Sequence, residues 1–205
     1  MINTFKSYLE DPAYKKVWHN YGFDRHIFYN HGINVLGFGG DTMQMARLAD
    51  SSRGPKGYSL SSLTKSYNKD IEAIKNQWLA VMKRNKQDDR ADLFRRCFMG
   101  VNIKTDMKKI FAKPKILKNG SEGKTFVYPS IIEMHTDEKL INDWVQYSTL
   151  DAEITFFLKE VLCLKMKRLQ IKYENMNNLL DFYYKYWLDF GETLTDMERN
   201  GIRVN

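Results

Sequence analysis

Nine apolar residues near the C-terminus, Leu169, Tyr173, Met176, Leu180, Tyr183, Trp187, Phe190, Leu194 and Met197, follow one another at alternating spacings of four and three. That period draws one stripe along an α-helix about 40 Å long. A helix of this kind is stable only with its stripe covered, so the chain must fold back on it or find another surface. Gly201 can end the helix, and Gly191 is a point at which it can divide in two. Packing into a core or against a neighbouring domain accounts for the aromatics without a cofactor. The chain has 205 residues, 43% of them hydrophobic, enough to fill an ordinary core. No run reaches the roughly 18 apolar residues of a membrane span. The first residues include Asn3, Lys6, Glu10 and Asp11 rather than a signal or transit pattern, so a soluble chain is expected.

The remaining text alternates between strand and helix signals. Val17-Trp18 is a short apolar piece, an Asn-Tyr-Gly turn follows, and Phe23, Ile27 and Phe28 recur at helical spacing up to Gly32, a suitable left-handed terminator. Ile33 to Phe38 reads as a strand running into Gly39-Gly40, and Asp41 can accept the free N–H groups of a helix beginning at Thr42. This order predicts an α/β domain. Ser59 can cap a short helix carrying Leu60 and Leu63, and a further helix is expected over Ile71 to Met82. Residues 83–130 read as a largely irregular insertion. Within it, NIKTDMKKIFAKPKILKNGSEGK has seven lysines against two acids, with a hairpin turn expected at Asn119-Gly120. It can touch phosphates or stand as a solvated loop. A net charge of +7 favours an anionic partner such as nucleic acid. Cys97 and Cys163 are too few and too far apart for a disulfide framework or a zinc site, so both thiols are expected reduced.

Two short segments carry the chemistry. In HNYGFD, Asp24 opens a helix directly after a strand and turn, which sets its carboxylate at the strand's C-terminal edge, where an ion can use it. In YSTLD, a separation of four puts the Tyr147 hydroxyl and the Asp151 carboxylate on one face of a helix that Leu140, Ile141, Trp144 and Val145 make amphipathic. Each residue also has an ordinary explanation: Asp24 as a partner of the helix dipole, Asp151 as an exposed acid, Tyr147 as a half-buried aromatic. His26 and His31 lack a third ligand for zinc. The GFGG stretch at 37–40 is not followed by Lys-Ser/Thr and is not a phosphate loop.

Taken in order, HNYGFDRHIFYNHGI, GFGGDTMQMARL, GYSLSSL and WVQYSTLDAEITFFL resemble the 3′→5′ proofreading exonuclease domain of family A DNA polymerases, of the DEDD type and tyrosine subclass. MKKIFAKPKILKNGSEGK and FYYKYWLDFGETLTDMERNGIRVN are similar to the plant and protist organellar branch, in mitochondria or plastids. The resemblance runs from about Leu9 to Asn205. It implies a ribonuclease H-like α/β fold, helix-rich here because N-terminal strands are absent, with a long C-terminal helix. It also implies a partial exonuclease domain over 1–163 with a lysine-rich insertion at 83–130, and a helical linker over 164–205 leading toward a polymerase domain.

By the same resemblance, two Mg²⁺ or Mn²⁺ ions straddle the scissile phosphate, Asp24 and Asp151 are ligands, and Tyr147 orients the nucleophile. His19 and Asn20 match positions beside the 3′ end of a single DNA strand. Phe23 packs either against a terminal nucleotide or in the core. The family's first motif, Asp-x-Glu on a strand before Asp24, has no counterpart in residues 1–21, and the Asp-x-Glu strings at Asp70, Asp151 and Asp196 fall on helical pattern. Weak metal binding and little cleavage are therefore expected of this chain alone. The alternatives are a non-catalytic nucleic-acid-binding remnant and a subunit completed by another chain. An uncovered stripe and an open sheet edge near Val17 and Leu36 further predict self-association.

Overall fold

The computed structural model describes residues 2–98, 110–118, 120–201 and 203. They form two compact units, one of Met1–Leu63 with Thr155–Asn205 and one of Thr64–Ile154. The fold is helix-rich α/β with small two-stranded sheets and a long C-terminal helix, consistent with part of a ribonuclease H-like exonuclease domain.

In the first unit, α1 (Lys6–Glu10) leads to β1 (Lys16–Trp18), α2 (Tyr21–Asn30), β2 (Phe38–Asp41) and α3 (Thr42–Ala49). β1 and β2 pair in parallel, Val17 opposite Gly40 and Trp18 opposite Asp41, with α2 as the crossover that parallel strands require. Their core joins Leu9, Tyr21, Ile33, Val35 and Phe38, and the Tyr21 ring stacks on Phe38 at 4.1 Å. Gly32 ends α2 with φ 73°, as the sequence suggests.

The second strand, however, starts at Phe38 rather than Ile33. Gly37 has φ 71° and passes so close to the Tyr14 carbonyl that a Cβ would lie 2.5 Å from it, which breaks the extended run although Ile33 and Val35 stay buried. Leu36 is not an open edge. Its N–H donates to the Leu9 carbonyl at 3.0 Å, and its own carbonyl accepts from Lys16 Nζ.

After a 3₁₀ turn at Pro55–Tyr58, α4 (Leu60–Ser66) begins behind Ser59, whose Oγ accepts from the Ser62 N–H at 3.3 Å. The second unit holds α5 (Asn68–Arg84), α6 (Asp88–Phe98), the antiparallel hairpin of β3 (Lys113–Ile116) and β4 (Glu122–Val127), α7 (Ile131–Thr136) and the start of α8 (Glu138–Arg168). The 83–130 segment is thus more regular than its sequence suggests. Gly120 takes φ 80° in the hairpin turn, while Asn119, the lysine run at 104–109 and the Cys97 side chain lie outside the described residues. α8 buries Phe157, Leu158, Val161, Leu162 and Met166 in the first unit. Cys163 is a free thiol with its pKa raised by burial.

The C-terminal stripe is not one helix from Leu169. β5 (Gln170–Tyr173) and β6 (Met176–Asn178) form an antiparallel hairpin that turns through Glu174 at φ 50°. Helix starts only at α9 (Leu179–Phe182), because Asn178 and Asp181 form a capping box: Asn178 Oδ1 accepts from the Leu180 and Asp181 N–H groups, and the Asp181 carboxylate accepts from the Asn178 N–H. Local capping overrides a periodicity that a hairpin also satisfies. Beyond it the chain stays helical over 179–200, through a π turn at Tyr183–Trp187 into α10 (Leu188–Asn200), which Gly201 ends at φ 67°. Gly191 does not break it. A Cβ there would lie 3.2 Å from Phe38 Cε1 and 3.0 Å from Gln44 Oε1, so its missing side chain allows close packing. Tyr183 is fully buried and contributes nothing to an exposed stripe, whereas Phe190 and Met197 remain exposed.

Candidate functional site

The turn that presents Asp24 is held from two sides. On the first, the buried Asp41 carboxylate accepts from the Asn20 N–H at 3.0 Å, the Tyr21 N–H at 2.9 Å and the Met43 N–H at 2.8 Å. One side chain therefore satisfies free donors at the N-terminal ends of both α2 and α3, where the helix dipoles also favour its charge. The expected cap on α3 is present; its reach across to α2 is a tertiary contact that no local spacing signals. The Asp41 N–H in turn donates to Tyr183 Oη at 2.9 Å, tying the same corner to the π turn. The Tyr183 phenol is raised well above its usual pKa by burial. Asn20 adopts the left-handed conformation, φ 68°, that turns the chain from strand into helix, a conformation asparagine tolerates.

On the second side, the buried Arg25 faces α10. Its Nη1 donates to the Glu192 carbonyl at 2.9 Å and to Thr195 Oγ1, and pairs with Asp196 Oδ1 at 2.9 Å. Arg199 returns a bond to the Arg25 carbonyl at 3.1 Å, and His26 Nε2 meets Glu198 Oε2 at 2.8 Å. Arg25 was not a candidate on sequence; a charged residue one step after Asp24 was its only trace. With Tyr21 and Arg25 turned inward, Asp24 is half-buried and Phe23 is 63% exposed, which removes the core reading of Phe23. His19 Nδ1 lies 2.8 Å from Thr42 Oγ1, whose hydroxyl is 3.2 Å from the Trp18 carbonyl. Since Thr42 has one proton to give to that carbonyl, the imidazole Nδ1–H is the donor to Thr42.

Tyr147 and Asp151 stand one turn apart on α8, both half-buried. The Tyr147 ring stacks near Trp144, centroids 6.2 Å apart at 27°, and meets Phe111 edge-on at 6.2 Å and 81°. Phe111 is buried, so the root of the β3–β4 hairpin is anchored against this tyrosine. Two residues after Asp151, Glu153 forms an ion pair with the buried Lys75 of α5. Burial raises the Glu153 carboxyl pKa and the Lys75 ammonium opposes that rise. All three Asp-x-Glu strings lie in helices, as expected. Glu153, Asp196 and Glu198 are engaged with Lys75, Arg25 and His26. His19, Asn20, Phe23 and Asp24 belong to one compact unit, Tyr147 and Asp151 to the other.

The family model for 3′-5′ exonuclease matches residues 1–92. Across the whole chain, "DNA polymerase I A, chloroplastic/mitochondrial" of Arabidopsis thaliana is 40% identical over 210 residues. The chain is homologous to the 3′–5′ exonuclease domain of family A DNA polymerases. Its similarity to plant organellar polymerases extends to "DNA polymerase I B, chloroplastic/mitochondrial" of the same plant, at 41%, and to "DNA polymerase I B, mitochondrial" of Oryza sativa subsp. japonica, at 38%. In each case all of this chain is covered and it spans only 18% of the relative's length. No solved structure matches.

Exonucleases of this family depend on divalent metal. The carboxylates of Asp24 and Asp151 are the hard oxygen donors that Mg²⁺ or Mn²⁺ prefer. Their number does not fit a two-ion centre: among the described residues, no three His, Cys, Asp or Glu side chains gather as a metal-binding group. Nor, among those residues, is any helix long and apolar enough to cross a membrane.

Proposed function

We propose that this chain is the later part of the proofreading exonuclease of an organellar DNA polymerase, in a mitochondrion or plastid, and that it acts on the 3′ end of a single DNA strand. Asp24 and Asp151 are its share of the metal ligands and Tyr147 orients the attacking water. His19, Asn20 and Phe23 lie beside the terminal nucleotide. The observation that carries this reading is the two-sided clamp on α2. Asp41 holds its N-terminal end and α10 holds Arg25, and the clamp leaves Phe23 exposed and Asp24 half-buried beside it. Buried polar bonding of that density on both sides of one turn fixes a side chain for use. The exposure of Phe23 gives an aromatic face on which a base can stack.

The remaining ligands come from residues outside this sequence, an Asp-x-Glu strand being the family's pattern. Alone, the chain binds Mg²⁺ or Mn²⁺ weakly and cleaves little. Completion by further strands is favoured over a non-catalytic remnant by the β1–β2 pair. Parallel sheets are normally wider and covered on both faces, and β1 and β2 stand as a pair among the described residues.

The test joins this chain to a segment supplying the Asp-x-Glu strand, covalently or by mixing, and follows shortening of a 3′-ended oligonucleotide. Activity should appear, and Asp24→Ala and Asp151→Ala should each lower it by about 10³-fold, roughly 4 kcal/mol of barrier. Tyr147→Phe should cost less. Near-normal hydrolysis by Asp151→Ala in the completed protein would refute the assignment.

A further inference from the structure

We infer that the β3–β4 hairpin is a binding arm for single-stranded nucleic acid, separate from the residues that receive the 3′ end. The inference deepens the exonuclease reading and rests on it only for naming the strand that occupies the arm.

The hairpin is short, and its side chains are open on both faces. Ile116 is 60% exposed, and Phe126 and Tyr128 are each 47% exposed. A two-stranded hairpin with so little covered surface is marginal in water, and it presents apolar surface to solvent. Its charge is one-sided. Lys113, Lys115, Lys118 and Lys124 are exposed, and Glu122 is the single acid between residues 110 and 128. Lys113 lies within electrostatic reach of Asp137 at the start of α8. Among the described residues, Lys115, Lys118 and Lys124 are held in no ion pair.

β4 then places cation and ring near one another. Phe126 pairs opposite Pro114 and Ile116 opposite Glu122, with a register irregularity between the two pairs, so Lys124 stands in the irregular stretch of β4 two residues from Phe126, and both are exposed. Interleaved lysines and exposed rings suit an unpaired strand, whose phosphates meet the ammonium groups and whose bases offer faces to the rings. An apolar protein partner would have to bury three unpaired ammonium groups, at a cost the polyanion avoids. A duplex hides its base faces and would leave Phe126 and Tyr128 unused.

The position of the arm gives it a purpose. Phe111, two residues before β3, is buried and packs edge-on against Tyr147, while Trp144 stacks beside the same ring. The root of the hairpin is thus fixed at the tyrosine proposed to orient water, and a strand lying along the arm is led past that tyrosine.

The experiment is equilibrium binding of a fluorescent oligothymidylate to the full chain, in a chelator and without metal, across a salt series. Replacing Lys115, Lys118 and Lys124 together by serine should lower the slope of log affinity against log salt by about two, since each phosphate contact on a single strand contributes about 0.7. The matching triple arginine variant should keep the slope. Phe126→Ser with Tyr128→Ser should weaken binding by roughly tenfold with the slope unchanged. Duplex of equal length should compete poorly. Circular dichroism checks that each variant remains folded. An unchanged slope in the folded triple serine variant overturns the inference, as does duplex binding as tightly as the single strand. Because no hydrolysis is read, absence of cleavage in the completed protein would sink the exonuclease reading and leave this result standing. A working exonuclease with an unchanged slope would do the reverse.

Discussion

Around the first turns of α2, polar groups are bonded to one another about the buried Asp41 and Arg25. Asp41 serves three backbone donors, Arg25 is bonded to the Glu192 carbonyl and to Thr195 and paired with Asp196, and His26 meets Glu198. On the β3–β4 hairpin the reverse holds. Lysines stand in solvent, Ile116 and Phe126 lie open, and the two strands have little beneath them. The first region has spent its polar capacity on its own geometry, so changing it should damage the fold and, through the fold, the placement of Asp24. The second has capacity left over, so changing it should leave stability intact and alter what the protein binds. Buried polar groups are costly when a partner is removed, because the surviving group can no longer reach water; exposed groups simply return to solvent.

The sharpest way to break that contrast is Asp41→Ala. Three N–H groups, that of the buried Tyr21 among them, would lose their acceptor together, and the expected loss is about 3 kcal/mol in urea unfolding, with Asp41→Asn costing less because one acceptor oxygen remains. A loss below about 1 kcal/mol would mean that water or a shift of α2 replaces the carboxylate.

Of similar size is Lys75→Met, expected to cost about 3 kcal/mol by stranding Glu153, with Lys75→Met/Glu153→Met recovering most of it. The pH dependence fixes the cause. Burial raises the Glu153 carboxyl in the folded state, and removing Lys75 removes the group opposing that rise. A raised folded pKa contributes stability below the unfolded carboxylate value that is lost as pH rises through the folded value. The Lys75→Met penalty should therefore be smallest in acid and grow toward neutrality, and a penalty independent of pH would argue for lost packing instead.

Smaller still, the triple serine variant of Lys115, Lys118 and Lys124 should unfold within about 0.5 kcal/mol of the parent. A marked loss would show the hairpin to be a structural element rather than an open arm. The least effect on stability is expected of Phe190→Ser. It should reduce self-association in sedimentation at tens of micromolar, since Phe190 is exposed on the C-terminal helix. A parent chain that is already monomeric there would remove the predicted association.

Elements with strong local chemistry were legible in advance. Gly32 and Gly201 end helices in the left-handed region, Asp41 and Ser59 cap where expected, and the helix carrying Tyr147 and Asp151 is present. The family, too, was legible from the order of its short segments. The start of the C-terminal helix was not. Leu169, Tyr173 and Met176 keep helical spacing, yet a turn at Glu174 and the capping box at Asn178 make the segment a hairpin. Residues 83–130 signalled the hairpin of β3 and β4 through Asn-Gly but not the helix Asp88–Phe98, since charged text with weak apolar periodicity resembles a loop.

What the sequence determined by itself is the set of local decisions: where helices stop, which acids sit at helix starts, and which residues can carry metal chemistry. These depend on residues a few positions apart, whose dihedral preferences and side-chain hydrogen bonds are nearly independent of the rest of the chain. Only the tertiary structure decided that Asp41 braces α2 as well as α3, that Arg25 turns inward to α10, that Tyr183 is buried, and that Phe111 anchors the hairpin at Tyr147. Those contacts join residues tens of positions apart. They form because a buried polar or aromatic group must find a partner wherever the packed chain supplies one, and no spacing along the sequence records where that will be.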